Sequence, residues 1–163
     1  MIVTEKDRTY LHCAVQQAQK AKQAGNLPIG AVIVLNDTVV AQGQNSIWMP
    51  QLSPTRHAEI EALEAIPPKM RPFTPQMSLY TTLEPCVMCT GAILLNRIGR
   101  VVFGALDSRG GASCTLNHLP PAFERLFKSI NWIGPALPEF CDPLDRQVAT
   151  LVQSRRNRVW ETS

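Results

Sequence analysis

Ser78-Leu79-Tyr80-Thr81-Thr82-Leu83, followed by Pro85 to Asn96 and then Arg100-Val101-Val102-Phe103-Gly104-Ala105, is the stretch that decides the fold. The outer runs are apolar and rich in β-formers, so they read as buried strands. The middle segment reads as a helix opened by Pro85 in the favoured first helical position. Strand, helix and strand within about 28 residues make a βαβ unit, which requires two parallel strands with a right-handed crossover. Upstream, Ile29-Gly30-Ala31-Val32-Ile33-Val34-Leu35 is apolar on both faces and is followed by Asn36-Asp37 and Thr38-Val39-Val40-Ala41, the signature of a buried strand with an antiparallel neighbour across a tight turn. A first helix carries Leu11, Ala14, Val15 and Ala18 on one side, with Thr4 or Asp7 to cap it and Gly25 to end it. A second runs from His57 to Ile66, capped by Thr55, with Ile60 and Leu63 on its apolar side and Pro67-Pro68 as its stop. A last helix starts at Asp142-Pro143 and places Leu144, Val148, Leu151, Val152 and Val159 on one face. These elements sum to an α/β fold, a mixed sheet with helices on both faces.

Composition bounds the function. At 163 residues the chain is expected to form a single domain, 1–163, and 45% hydrophobic against 18% charged residues is a globular balance. A net charge of +3, with no basic block, falls short of what a protein needs to grip a long duplex, and leaves room for a small or local nucleic-acid contact. Five cysteines cannot all pair, and the chain needs no disulfide framework, so reduced thiols are expected. The N-terminus lacks an apolar targeting segment and no apolar run is long enough to cross a bilayer, which points to a cytoplasmic protein.

The chemistry is concentrated in His57-Ala58-Glu59 and Pro85-Cys86-Val87-Met88-Cys89. A Cys-x-x-Cys alone fits a redox pair, half of a structural zinc site, or no special role at all. Together with His57 it completes three ligands, the number a catalytic zinc site uses while leaving its fourth position to water. Cys86 and Cys89 stand three residues apart on a helix start, which brings their sulfurs to one face and favours thiolates. Glu59, two residues past His57, is then free to act as general acid/base. Such a set suits hydrolytic deamination, in which metal-activated water attacks an amidine-like ring carbon, Glu59 shuttles protons and ammonia departs.

His57-Ala58-Glu59 and Pro85-Cys86-x-x-Cys89 resemble the zinc signature of the cytidine and nucleotide deaminase superfamily. Pro28 to Val32, His57 to Ile60, Leu83 to Cys89 and Arg97 to Ala105 look most like the bacterial tRNA adenosine deaminases, with guanine deaminase-type relatives next. The resemblance implies a three-layer cytidine deaminase-like fold with about five strands and one Zn2+ per chain. It also implies a homodimer whose second chain lines the site, and conversion of adenosine to inosine at the tRNA wobble position. It further implies substrate contacts at Asn45, in a G-x-x-N pattern, and at Ala58, and an Asp107 near the RNA backbone.

Three departures favour a smaller free substrate instead, such as guanine, a related purine or triazine base, or a nucleoside. Arg56 stands where the tRNA enzymes carry a small Ala, and a cation at a helix start needs an anionic partner, either a substrate anion or a carboxylate such as Glu59 or Glu61. The Asn45 to His57 loop is one residue longer than usual and holds Trp48 and Met49; the Trp can stack on a base or form a wall or dimer contact. Gly110 and Gly111 leave Arg109 as the one cation of the loop after Asp107. Arg155, Arg156 and Arg158 resemble the basic terminal helix of the tRNA enzymes and equally suit a solvated face. A non-catalytic zinc-binding subunit is the rival that Glu59 argues against. Cys13, Cys114 and Cys141 are read as small hydrophobes or bystanders.

Overall fold

The computed structural model describes residues 3–160, with side chains described as far as Arg155. α1 (Glu5–Gln23) is followed by the hairpin β1 (Gly30–Leu35) and β2 (Thr38–Gln44), then by α2 (Ala58–Glu64), a 3-10 segment (Pro68–Gln76), β3 (Ser78–Leu83), α3 (Val87–Leu95) and β4 (Arg100–Ala105). Two short 3-10 turns lead into α4 (Pro121–Phe127), β5 (Asn131–Ile133) and α5 (Pro138–Trp160).

The five strands form one sheet in the order β2-β1-β3-β4-β5. β1 is antiparallel to both β2 and β3, whereas β3, β4 and β5 run parallel. This is the mixed, five-stranded α/β sheet expected, with the βαβ unit at its centre. Asn36 and Asp37 both take positive φ, as a tight two-residue hairpin of the right twist requires. β1 lies between two neighbours and is buried along nearly its whole length, which explains why its sequence does not alternate.

α1 and α5 pack against one side of the sheet, and α2 with α3 forms the layer on the other. Close approach depends on two glycines on opposite faces of the hairpin. A Cβ at Gly30 would lie 2.2 Å from the Ala14 carbonyl of α1, and one at Gly43 would lie 2.1 Å from the Ala58 carbonyl of α2. The Gly43 contact fixes the height of the α2 N-terminus over the end of β2. The core between the layers centres on Val32, Ile33, Leu79, Ile93, Val101 and Leu137.

Several boundaries differ from expectation. Pro85 precedes α3 rather than opening it: Cys86, with extended backbone (φ −71°, ψ 172°), is the N-cap. His57, not Thr55, caps α2, and the helix buries Ala58, Glu59, Ala62 and Leu63 while Ile60 lies half-exposed. α5 starts at Pro138 and runs through Pro143, which forgoes a single backbone bond near the helix start. Its buried face holds Cys141 and Val148, whereas Val152 is exposed; Val159, Arg156 and Arg158 lie outside the described side chains. β5, α4 and the 3-10 segment have no counterpart in the expected elements. Among the described residues no helix is long and apolar enough to cross a membrane.

Candidate active site

Antiparallel pairing of β1 with β3 brings the start of β1, the end of β2 and the end of β3 to one edge of the sheet. Asn45 follows β2 there, Glu84-Pro85-Cys86 follows β3, and Asp107 follows β4 after one intervening residue. α2 drops its N-terminus onto the same edge. Two helix starts therefore face each other, each capped by an unusual residue. N-caps are ordinarily Ser, Thr, Asp or Asn, whose side chain bonds back to the helix and contributes about 1 kcal/mol. His57 and Cys86 make no such bond, so both side chains stay available to each other.

His57 Nδ1 lies 3.7 Å from Cys86 Sγ and 3.5 Å from Cys89 Sγ. All three ligand atoms fall within 4.8 Å of one another, and this is the group of metal-ligating side chains found among the described residues. Tetrahedral zinc with its usual bond lengths separates a nitrogen from a sulfur ligand by about 3.5 Å, so the donor set and its spacing fit that ion. The adjoining Cys89 side chain, joined by His57, holds the Cys86 thiol well below its ordinary range despite burial. His57 is pushed up, chiefly by the same Cys86 contact, with the Pro54 backbone also beside the ring.

Glu59, the second residue of α2, is 3% exposed. Burial pushes its carboxyl above the usual range. One oxygen accepts from the Thr81 hydroxyl of β3 (3.4 Å) and the other from the Cys89 thiol (3.5 Å), so the carboxylate lies directly against the ligand cluster. Ala58 is fully buried, and as the first residue of α2 it has a peptide N–H with no intrahelical acceptor.

Asn45 is also fully buried. Its N–H donates to the Ile29 carbonyl and its Oδ1 accepts from the Ile47 N–H (3.3 Å), yet Nδ2 has no partner. Leaving such a donor unmet costs about 1–3 kcal/mol, so a water or a bound molecule is expected to meet it. Arg56 forks onto Glu61 at 2.9 and 3.0 Å, which gives this cation its anionic partner within the same helix start. The Asp107 side chain accepts from the Arg109 N–H, and the Arg109 guanidinium reaches on to Asp145 of α5. Trp48 lies beneath the Arg155 guanidinium, 4.2 Å from its ring centre.

Sequence reasoning passed over Glu84. This buried carboxylate accepts the N–H groups of Ser113 (2.8 Å) and Asp107 (3.2 Å), and the Pro85 carbonyl accepts from Ala112, so the loop after β4 is laid against the start of α3. A Cβ at Gly111 would meet Glu84 Oε2 at 2.3 Å, which accounts for a glycine there. A cleft of about 410 Å³ opens along this loop between Val87, Leu106 and Cys114. The only advance signal for Glu84 was its place before Pro85-Cys86.

Residues 4–105 match the model of the cytidine and deoxycytidylate deaminase zinc-binding region. The chain belongs to this deaminase family. Among curated relatives, a tRNA-specific adenosine deaminase of Bacillus subtilis is 40% identical over 137 residues, 83% of this chain and 84% of that one. A second, from Haemophilus influenzae, is 36% identical over 94% of this chain and 87% of its own. A solved structure from work on A-to-I editing by tRNA:A34 deaminases at the wobble position is 32% identical, with a TM-score of 0.60 over 71% of this chain and 91% of that one. A guanine deaminase from Nitrosomonas europaea, 19% identical, has a TM-score of 0.69 over 91% of this deaminase and 86% of its own chain, and shares the fold.

Proposed function

We propose that this deaminase binds one zinc ion per chain through His57, Cys86 and Cys89 and converts adenosine to inosine at the wobble position of tRNA, releasing ammonia. The observation that carries the chemistry is the buried Glu59 carboxylate lying against three ligand atoms of zinc spacing. Relatives of up to 40% identity bearing the tRNA-specific name support the substrate.

Zinc held by these three side chains supplies a water whose pKa is lowered toward neutrality. Glu59 takes a proton from the attacking water and delivers it to the departing amine nitrogen, while oxygen replaces nitrogen on the ring carbon. Burial raises the affinity of Glu59 for that proton, and the Thr81 hydroxyl holds the carboxylate in place. The unpartnered Asn45 Nδ2 and the Ala58 N–H are assigned to substrate acceptors. Arg56 and Asp107 are assigned to shaping the rim, since each has an intramolecular partner. A base in an anticodon loop is already partly unstacked, so flipping it into the site costs less than from a duplex, and few phosphate contacts are needed. A net charge of +3 is compatible with that demand.

The outer face of α3 supports the homodimer. Val87 and Leu95 are 58% and 66% exposed, and beside them Gly91 and Leu94 border an apolar cleft with Leu119 and Phe123. Such a patch on a helix that carries a zinc ligand suits a second copy. Thiolate ligands and a tRNA substrate both assign the protein to the reducing cytoplasm.

The test is metal analysis together with ammonia release from an anticodon stem-loop with adenosine at the wobble position, guanine, adenine, cytosine and their nucleosides. About one zinc per chain and turnover confined to the stem-loop are expected. Turnover of a free base or nucleoside with an inert stem-loop assigns the small-substrate reading instead, and a metal-free, fully active protein ends the zinc assignment.

A further inference from the structure

The segment 46–56 joins Asn45 to His57, so its path bears on both the substrate side and the metal side of the site. The segment is closed on itself by the Ser46 N–H to the Arg56 carbonyl (2.9 Å) and the Ser53 N–H to the Ile47 carbonyl (2.8 Å). It is tied to α1 through Asn26, a residue on the turn after that helix and 2% exposed. Asn26 Oδ1 accepts the N–H groups of both Trp48 and Met49 at 2.9 Å, and Nδ2 donates to the Met49 carbonyl at 3.3 Å. Its own N–H donates to the Ala21 carbonyl, anchoring it to the end of α1.

This side chain thus does for the loop what a neighbouring strand would do. It offers an acceptor to two consecutive donors and a donor to one acceptor, a combination a carboxamide supplies and neither a carboxylate nor an apolar side chain can. Trp48 is also two bonded links from the site: its neighbour Ile47 donates its N–H to Asn45 Oδ1 and so sets how the Asn45 carboxamide is turned. A displacement of the Trp48–Met49 backbone is transmitted to Asn45 through that bond.

We propose that Asn26 is a positioning residue for the deamination. It fixes segment 46–56 so that Asn45 holds its unpartnered Nδ2 toward the substrate. This rests on the deaminase reading above.

The experiment compares wild type with Asn26→Leu and Asn26→Asp on whichever substrate of the panel the wild type turns over, well below the melting temperature. Zinc content and backbone amide exchange of residues 46–53 are followed in parallel. For Asn26→Leu, kcat/KM falls between about tenfold and a hundredfold, the range expected when a substrate-orienting group is misplaced by about an ångström. Zinc stays at the wild-type level and amide exchange in 46–53 accelerates. Asn26→Asp keeps the acceptor but sets an oxygen against the Met49 carbonyl, so it too lowers kcat/KM and accelerates exchange in 46–53. Wild-type kcat/KM in Asn26→Leu, or a loss of kcat/KM with unchanged exchange, overturns the proposal. If Asn26→Leu fails to fold, Asn26→Asp carries the test: faster exchange with lowered kcat/KM supports it, and wild-type values in both overturn it. A wild type inert on the whole panel removes the deaminase reading; exchange in 46–53 then decides the loop anchor alone, faster in Asn26→Leu supporting it and unchanged overturning it.

Discussion

Glu59 is buried against the His57, Cys86 and Cys89 cluster, and the proposed deamination asks it to exchange protons there. Desolvation pushes its carboxyl above the usual carboxylate range, and in the proposed deamination the proton it takes from the attacking water passes to the departing amine. Glu59→Gln preserves the volume and removes the exchange. Its kcat is expected to fall about 10²–10⁴-fold with zinc content unchanged, and a variant active at wild-type rate removes Glu59 from the chemistry. At this scale the candidate site was largely legible, because H-x-E and C-x-x-C hold their residues together by local spacing. Asn45 was legible only through family resemblance. Glu84 and Asn26 were not, since a carboxylate before Pro and an Asn in a turn are ordinarily solvated, and only burial and the backbone groups these two accept set them apart.

α1 is joined to the sheet by a buried carboxylate that first serves as part of its cap. Thr4 and Asp7 form a capping box, as the sequence suggested for one or the other. The Asp7 oxygens also accept a fork from Arg100 at the start of β4 (2.6 and 2.9 Å) and the Tyr80 hydroxyl of β3 (3.0 Å). Burial alone would raise this carboxyl, but Arg100, Thr4 and Tyr80 outweigh it and hold the group well below its ordinary 3.8. A depressed folded value means that the contribution to stability is present above the unfolded pKa and is lost as pH falls through the folded one. Asp7→Asn is therefore expected to destabilise the chain at pH 7 by about 2–3 kcal/mol, less than a fully buried pair because Arg100 keeps 22% of its side-chain exposure. The gap to wild type should narrow as pH falls below 4. Denaturant melts at pH 7 and pH 3 check both statements, and a gap independent of pH refutes the ionic account. The cap was visible because it spans three residues; the fork was not, because it spans 93. β5 escaped for a related reason: three residues at a sheet edge make no periodic pattern, and only pairing with β4 makes them a strand.

For the whole molecule, the exposed apolar side of α3 is the feature a single chain leaves unresolved. Leu95→Glu places a charge at its C-terminal end, and is expected to convert a dimer to a species of 18.1 kDa in sedimentation, with lowered kcat/KM if the partner lines the site. A wild type that already sediments as a monomer removes the homodimer. The sequence by itself determined the α/β class, the parallel pair around α3, the hairpin, and the candidate grouping of His57, Glu59, Cys86 and Cys89. Each of these depends on residues close in the chain, where hydrophobic period, turn chemistry and ligand spacing act directly. Tertiary structure decided where α3 and α5 begin, that Arg56 faces Glu61, and that Glu84 and Asn26 hold the loops around the site. Apart from the local Arg56–Glu61 pair, those outcomes depend on burial and on hydrogen bonds between segments distant in the chain, which exist only once the fold has brought them together.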